Sequence, residues 1–523
     1  MDRKLPLGIQ SFVKMREENY IYVDKTNYIY KLAQGGGQYF LSRPRRFGKS
    51  LFLSTMKSYF SGDRDLFDGL AIKRIKQEKD EPWETFPVLY FDFNQKNYLK
   101  DAALEEVLIG HLEDWEQLYK IDNSDKPIEK RFSVLIKKAY EVTGKRCVIL
   151  VDEYDKPLID VMDNEKFQEH NKAVFKGFFS VLKSYDEYIH FAFITGVTKF
   201  SKVSIFSDLN QLKDISLSGE YADICGITND ELMRYFESEV RELADEQQMT
   251  LDECYDKLKK EYDGYRFYQD VEGVYNPFSL INALSDKEFR AYWFESGTPT
   301  FLVQKLKALD FDARKLQDGS LIATKSMLSD YQDDNPDPIP LLYQTGYLTI
   351  LGYDKIKKIY MLGFPNEEVA YGLLESMMQA YMPVANPATG KDILSICRYL
   401  ETGDLEMLRN ALVALYASIP YTSDKTEYEE YFQSVIYIVF TLLGQYVLSE
   451  VHSSMGRADS IVETEKYVYI FEFKCNKSAD EALKQIEDKG YAVPYAADKR
   501  VIYKIGVNFD TKSKNIIEWK VKQ

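Results

Sequence analysis

A loop containing the triplet Gly48-Lys49-Ser50 separates a short apolar run from a segment with helical spacing. The apolar run covers residues 38–42, and the stretch LSRPRRFGKSLFL covers residues 41–53. After the triplet, apolar residues recur at the spacing of one helix face. The pattern predicts a strand, a loop and a helix in succession.

Three further apolar runs are typical of buried strands. They cover residues 86–94, 147–151 and 190–197, with helical patterns between them. A continuous apolar run suits a parallel strand that is covered on both faces. The alternation of such strands with helices predicts an α/β domain over roughly residues 1–215.

The loop at residues 41–53 has the second half of a phosphate-binding motif. In such loops the backbone N–H groups surround the phosphates, the lysine reaches the terminal phosphates and the serine hydroxyl ligates Mg²⁺. Gly48, Lys49 and Ser50 supply these groups, whereas Arg43 occupies the position of the first glycine. The entry to the loop is therefore expected to have a different shape.

Two acidic residues follow the apolar run at residues 147–151. Asp152 can hold the shell of a magnesium ion, and Glu153 can polarise an attacking water. Either motif alone also fits an ordinary acidic or basic loop after a core strand. Both motifs in this order within one α/β domain favour a nucleotide site.

The middle of the chain is predicted to be mainly helical. Thr228 and Glu231 have capping-box spacing at the start of a helical pattern that continues to about residue 328. Residues 332–340 form a loop by their Pro, Asn and Asp content. The stretch YLTILGYDKIKKIYML after it favours a hairpin, which would suit the wing of a small winged-helix unit.

The C-terminal segment predicts three strands at residues 446–452, 457–463 and 467–474. Because side chains alternate along a strand, Glu472 and Lys474 share one face. A turn centred on residues 464 and 465 would place Val462 opposite Tyr467.

This register places further carboxylates near Glu472. It sets Asp459 opposite Ile470, as a diagonal neighbour of Glu472 on the same face, with Glu450 opposite Asp459. Converging carboxylates normally need a cation between them, and oxygen ligands suit Mg²⁺. Lys474 could then orient a nucleophile or bind a phosphate oxygen, which is the chemistry of a nuclease. The alternative is an amphipathic sheet with solvent-facing charges.

The charge distribution limits where nucleic acid could bind. The net charge is −16, but residues 450–523 carry 13 basic and 12 acidic side chains. A strongly acidic chain is a poor general ligand for nucleic acid. Contact with nucleic acid is therefore expected in the C-terminal segment.

Several features favour a reducing, cytoplasmic location without a membrane span. The five cysteines are dispersed without paired spacing, and the first ten residues lack an apolar signal core. Residues 431–449 are uncharged, but polar residues interrupt them, which favours a buried helix.

Four motifs together resemble the bacterial AAA-ATPase-like family: RPRRFGKSL, YVDKT, ILVDEYDKP and ITGVTKFSK. In that family the Arg-Pro-Arg-Arg-Phe form of the loop is usual. The resemblance implies that ATP binds at Gly48, Lys49 and Ser50 as Walker A.

The same resemblance gives Asp152 and Glu153 the Walker B role. It implies that Thr195 or Thr198 lies near the γ-phosphate as a sensor. Arg45 and Arg46 could add charge at the phosphates or belong to a solvated basic loop. The resemblance assigns no arginine finger.

The spacing D-x₁₂-E-F-K resembles the PD-(D/E)XK nuclease superfamily. Carried over, Asp459 and Glu472 are metal ligands, Lys474 is the catalytic lysine and Gln485 is an accessory polar residue. Glu450 is a further candidate ligand, although related proteins often take that acid from the preceding helix, where two glutamates lie at 429 and 430.

The resemblances imply three domains and an ATP-coupled nuclease. The domains are an ATPase at 1–215, a helical lid or winged-helix-like region at 216–380 and a nuclease-like domain at 381–523. ATP and Mg²⁺ are the expected cofactors, and nucleic acid, most simply DNA, is the expected partner. A homo-oligomer and a role against foreign or mobile DNA fit this interpretation. The alternative is a nucleotide-switched binding or signalling module with an inactive nuclease fold.

Overall fold

The computed structural model divides the chain into two compact units. Residues 1–296 and 319–369 form the first unit, and residues 297–318 and 370–523 form the second. The structure describes residues 3–200, 211–295, 300–309, 311, 313–316, 319, 321–329, 337–381, 389–417, 435, 438–439, 442, 460–513 and 515–523. The three domain ranges drawn from the sequence remain predictions.

A five-stranded parallel sheet forms the centre of the first unit. Its strands are β1 Gly37–Ser42, β2 Val88–Asp92, β3 Cys147–Asp152, β4 Ile189–Gly196 and β5 Leu212–Asp214. The order across the sheet is β2-β3-β4-β1-β5, with every pair parallel. The predicted parallel α/β sheet is confirmed, and its carboxyl ends lie at one edge.

Two helices precede β1, and six more fill the connections from β1 to β4, since crossovers between parallel strands are usually helical. They are α1 Phe12–Glu17, α2 Thr26–Gly35, α3 Lys49–Ser61, α4 Ala71–Glu78, α5 Ala103–Tyr119, α6 Ile128–Thr143, α7 Lys156–Ile159 and α8 Glu165–Ser184. Every residue of β3 is buried, as its continuous apolar sequence predicts.

A helical cluster follows the parallel sheet along the chain. It comprises α9 Asn229–Glu246, α10 Leu251–Tyr262, α11 Pro277–Asp286 and α12 Tyr292–Glu295. The predicted capping box is present, since Thr228 N donates to Glu231 Oε2 at 2.9 Å and Glu231 N donates to Thr228 Oγ1 at 3.2 Å. Apolar faces of α9, α10 and α11 share one buried core.

A small antiparallel sheet completes the first unit, and its antiparallel pair β7 and β8 confirms the predicted hairpin. The winged-helix unit remains a prediction. In chain order the second unit's α13 Thr300–Ala308 comes first, followed by β6 Leu321–Thr324, α14 Lys325–Ser329, α15 Ile339–Thr345, β7 Thr349–Asp354 and β8 Ile359–Gly363. The order across the sheet is β6-β8-β7. Pro340 to Gln344 of α15 are all buried.

The second unit is an α/β domain built on a four-stranded sheet. Its elements are α16 Glu367–Tyr381, which starts in the first unit, α17 Thr389–Thr402, α18 Leu405–Ala417, β9 Ser460–Glu463, β10 Tyr467–Cys475, α19 Ala479–Asp488, β11 Val501–Asp510 and β12 Asn515–Lys522. The order is β12-β11-β10-β9, with only β10 and β11 parallel. Gly506 lets α19 approach β11, because an added Cβ would lie 2.3 Å from Ala479 O.

The register between β9 and β10 differs from the sequence prediction. Val462 pairs with Tyr469, two residues beyond the predicted Tyr467, and Ser460 pairs with Phe471. The turn is centred one residue later because the Thr464 hydroxyl accepts from Tyr467 N at 3.0 Å. A shift of two residues leaves each side chain on its predicted face. Strand β12 has no counterpart in the sequence prediction.

Candidate functional site

The phosphate loop joins the carboxyl end of β1 to the N-terminus of α3. Gly48 has φ +89°, a left-handed conformation that favours glycine, and Arg46 has φ +65°. Helix α3 begins at Lys49, so its first backbone N–H groups face the loop and attract anions. Ser50 lies in the first turn of this helix.

Lys49 is buried in the loop that it would serve. Its side chain is 6% exposed, and Nζ donates to Arg43 O and Pro44 O, both at 2.9 Å. Burial lowers the pKa of this ammonium group, although Asp152 and Glu153 act in the opposite direction. The lysine is therefore held by neutral acceptors beside a carboxylate pair.

Strand β4 lies between β1 and β3 and brings Thr195 to the acidic pair. Thr195 Oγ1 donates to Asp152 Oδ1 at 2.8 Å, and Tyr90 OH donates to Asp152 Oδ2 at 3.4 Å. Glu153 has φ +50°, a strained conformation for a residue with a side chain. Burial raises the pKa of Glu153 to about 7, against the opposing charge of Lys49.

The two candidate threonines have different partners. Thr198 donates its hydroxyl to Asp155 Oδ2 at 2.8 Å and its backbone N–H to the same atom at 2.6 Å. Asp155 is buried, and burial raises the pKa of its carboxyl group. Thr195 therefore lies at Asp152, whereas Thr198 supports a buried carboxylate that sequence reasoning did not single out. The repeated Asp in DEYDKP was the signal for it.

A cavity of about 520 Å³ opens beside the phosphate loop, within the size range of small-molecule sites. Its polar end includes Arg46, Lys49, Ser50 and Glu153. Its apolar lining comes from the N-terminal segment, from the residue before the N-cap of α9, and from α9 and α11, namely Ile9, Val23, Ile227, Phe236, Phe278 and Ile281. The cavity thus combines an anion-binding end with an apolar end that suits a planar base.

The other loop arginines lie against aromatic rings of the helical cluster. The guanidinium carbon of Arg46 lies 4.7 Å from the ring centroid of Phe278, and that of Arg45 lies 5.6 Å from Trp293. Both arginines are exposed, and both line the cavity. Lys25, from the YVDKT motif, lines it as well and pairs with Glu231 at 2.7 Å.

In the second unit, Glu472 and Lys474 lie on one face of β10, as alternation predicts. Lys474 Nζ donates to Glu472 Oε1 and to Gln485 Oε1, each at 2.7 Å. Gln485 Nε2 donates in turn to Tyr491 OH at 3.4 Å. Glu472 is 1% exposed, so the charge of Lys474 stabilises a buried carboxylate. Phe471 and Phe473 stack on the opposite face.

Two predicted metal ligands, Asp459 and Glu450, lie outside the described residues. The predicted strand at 446–452 and the alternatives at 429 and 430 also lie outside them. The residues that the structure describes contain no group of three or more His, Cys, Asp or Glu side chains that could hold a metal. The five cysteines are free thiols. No helix in the described part of the chain has the length and apolar character to cross a membrane.

The two folds define the class of the protein. A parallel sheet with a phosphate loop after β1 is that of a P-loop NTPase domain, and the mixed sheet of the second unit is that of a PD-(D/E)XK nuclease domain. The family model described as predicted AAA-ATPase matches residues 6–206, and the PD-(D/E)XK nuclease superfamily matches residues 427–519.

The chain belongs to the predicted AAA-ATPase family and carries a C-terminal PD-(D/E)XK nuclease superfamily domain. A curated relative spans almost the whole chain. It is described as an uncharacterized protein in the vnfD 5' region of Azotobacter chroococcum mcd 1, and it is 37% identical over 529 residues, which cover 98% of each chain.

Proposed function

We propose that the first unit binds and hydrolyses ATP. The cavity beside the phosphate loop carries this proposal, because one end offers backbone N–H groups and Lys49, and the other end is apolar. Phosphates suit the first end and an adenine base suits the second. The family match to residues 6–206 supports the same ligand.

Each polar residue of the site has a distinct task in this proposal. Lys49 Nζ would exchange its hydrogen bonds to Arg43 O and Pro44 O for bonds to phosphate oxygens. Glu153 would accept a proton from the attacking water. Thr195 fixes the rotamer of Asp152 through the bond at 2.8 Å. Ser50 and Asp152 have the oxygen donors that Mg²⁺ requires, and bound magnesium supplies positive charge at the phosphates.

We further propose that the second unit cleaves nucleic acid, most simply DNA, in the bacterial cytoplasm. The cluster of Glu472, Lys474 and Gln485 carries this proposal, since a lysine held at 2.7 Å from a carboxylate can also orient a nucleophile. The carboxylate of Glu472 has the chemistry of a ligand for a hard divalent cation, with Asp459 and Glu450 proposed beside it. Defence against foreign or mobile DNA would be the biological setting.

The test is cleavage of labelled single- and double-stranded DNA and RNA with Mg²⁺ or Mn²⁺, with and without ATP. Lys474→Ala should abolish cleavage, whereas Lys484→Ala, an exposed lysine on α19, should not. Lys49→Ala should abolish ATP binding and show whether ATP controls cleavage. Cleavage that survives Lys474→Ala would contradict the nuclease assignment.

A second candidate is a nucleotide-switched binding module with an inactive nuclease fold. The burial of Glu472 favours it, because a carboxylate that is 1% exposed and already paired with Lys474 offers little access to a metal. An intact metal site should raise the melting temperature with Mg²⁺ or Mn²⁺. A shift that disappears in Glu472→Gln supports the nuclease, and no shift in the wild type supports the binding module.

A further inference from the structure

The side chain of Arg43 turns away from the phosphate loop and is buried, with 1% exposure. Its Nη1 donates to Ser42 O at 2.8 Å and to Ser216 O at 2.9 Å, and its Nη2 donates to Tyr221 O at 2.8 Å. All three acceptors are backbone carbonyls. One planar guanidinium group therefore ties the end of β1 to the segment that follows β5.

An aromatic ring covers the same guanidinium group. The carbon Cζ of Arg43 lies 4.0 Å from the ring centroid of Phe267, close enough for a strong cation–π contact. The ring of Phe267 also packs edge-on against Phe47 of the loop at 5.5 Å. Arg43 and Phe47, four residues apart in the loop, thus meet on one ring outside the parallel sheet.

The backbone of Arg43 contacts the lysine of the nucleotide site. Arg43 O and Pro44 O accept the two hydrogen bonds of Lys49 Nζ at 2.9 Å. Shortly after Tyr221, residues 224–227 line the nucleotide cavity. The side chain of Arg43 consequently ties the loop to the segment that leads into residues 224–227, and its backbone carbonyl accepts one of the hydrogen bonds of Lys49.

We infer that Arg43 is the positioning residue of the phosphate loop and sets its affinity for nucleotide. The inference rests on the proposed function of the first unit. A glycine at this position shapes the loop through backbone freedom, whereas Arg43 shapes it through a side chain anchored at residues 216–221 and at Phe267. Residues beyond the parallel sheet therefore determine the conformation of the loop.

Conservative substitutions separate this role from simple packing. A lysine has a single nitrogen, so it cannot bond the carbonyls of both Ser216 and Tyr221 in the geometry of a guanidinium group, and it lacks the planar face. Arg43→Lys therefore loosens the loop while it keeps the charge. Phe267→Leu removes the ring and leaves every hydrogen bond of Arg43 in place.

Arg131 provides the matched control. It is a buried arginine of α6 in the same unit, and its Nη2 donates to Glu116 at 2.6 Å. It is not part of the cavity lining. Arg131→Lys should therefore lower the melting temperature, because a buried guanidinium contact is lost. It should leave the phosphate loop unchanged.

The experiment measures the dissociation constant of a fluorescent ATP analogue, and the melting temperature, for the full-length wild type and four variants. Arg43→Lys should raise the dissociation constant about tenfold or more, which is the loss of one strong interaction. Phe267→Leu should raise it about threefold. Arg131→Lys should leave the dissociation constant within about twofold of the wild type, although it lowers the melting temperature as much as Arg43→Lys or more. Lys49→Ala should abolish binding.

The outcomes distinguish this inference from the proposed function. A wild-type affinity in Lys49→Ala overturns the nucleotide site itself. The positioning role alone is overturned if Lys49→Ala loses binding but Arg43→Lys binds the ATP analogue as tightly as the wild type or as Arg131→Lys. If Arg43→Lys does not fold, Phe267→Leu decides, and an unchanged affinity in that variant overturns the inference.

Discussion

The two lysines assigned to phosphate chemistry lie in opposite electrostatic surroundings. Lys49 of the first unit is held by two neutral carbonyls, whereas Lys474 of the second unit is held by a carboxylate and an amide oxygen. Desolvation by burial lowers the pKa of Lys49, although the nearby carboxylates of Asp152 and Glu153 oppose this shift.

The two lysines therefore differ in their hydrogen-bond partners. Lys49 donates only to neutral carbonyls, whereas Lys474 already donates to the carboxylate of Glu472. A ligand phosphate would give Lys49 the negative charge that its carbonyl partners lack. Lys474 must instead share or release Glu472 before it can bind a phosphate oxygen. In the first site, called the prepared site below, the ammonium group of Lys49 can bind an anionic ligand without breaking an ion pair. In the second site, the charges of Lys474 and Glu472 already compensate each other.

Substitution of Glu153 tests the prepared site and should have the largest effect. Glu153→Gln should lower the rate of ATP hydrolysis by about 10²–10⁴-fold, because the amide cannot accept a proton. Nucleotide affinity should remain, since Lys49 and the loop are unchanged. Steady-state hydrolysis and titration of a fluorescent ATP analogue would measure the two quantities. Equal loss of both would mean that Glu153 acts in binding.

Removal of each lysine without ligand tests the comparison directly. Lys474→Ala should lower the free energy of unfolding by about 3 kcal/mol, because it removes the positive charge that pairs with the buried Glu472. Lys49→Ala should change it by less than about 1 kcal/mol, because only neutral acceptors lose a donor. Urea unfolding of the full-length variants would measure both.

A double variant controls for packing at the second site. Glu472→Gln combined with Lys474→Met removes both charges and should recover most of the lost stability. Comparable losses from Lys49→Ala and Lys474→Ala would show that the two surroundings are equivalent and would remove the distinction.

The pH dependence of hydrolysis should follow the carboxyl group of Glu153. Burial raises its pKa to about 7, so the group is mainly protonated at pH 6 and mainly ionised at pH 8. The rate at saturating ATP should rise about tenfold over this interval, because only the carboxylate accepts a proton. The raised pKa of Glu153 also contributes to the free energy of unfolding. This contribution is fully present at low pH and is lost as the pH rises from about 4.5 to 7. A flat rate profile would exclude Glu153 as the base.

The two threonines should give the smallest and most specific effects. Thr195→Val should slow hydrolysis a few-fold because Asp152 loses the donor at 2.8 Å. Thr198→Val should instead lower the free energy of unfolding by about 1 kcal/mol, because the buried Asp155 loses one of its donors. Rate and stability assays on both variants would separate the roles, and identical behaviour would contradict them.

Local patterns predict much of this molecule because their causes are local. The apolar run of β3, the capping box of α9 and the shared face of Glu472 and Lys474 each follow from residues a few positions apart. The register of β9 and β10 differs from the prediction because one hydroxyl, that of Thr464, shifts the turn.

The environment of Arg43 could not be predicted in the same way. Its acceptors Ser216 and Tyr221 lie 173 and 178 positions away along the chain, and Phe267 lies further still. The sequence shows an arginine in a glycine position, but only the fold shows where its side chain goes. The partners of Thr195 and Thr198 likewise depend on the pairing of β4 with β3.

The burial of α15 also has a consequence for any contact with DNA through the region that the sequence predicts to be a winged-helix unit. In helix-turn-helix proteins the second helix enters the major groove, which requires a free helical surface of several residues. Pro340 to Gln344 of α15 are buried within their own unit. This helix therefore cannot read base edges while the first unit keeps its fold, and sequence preference in this protein would have to arise from another element.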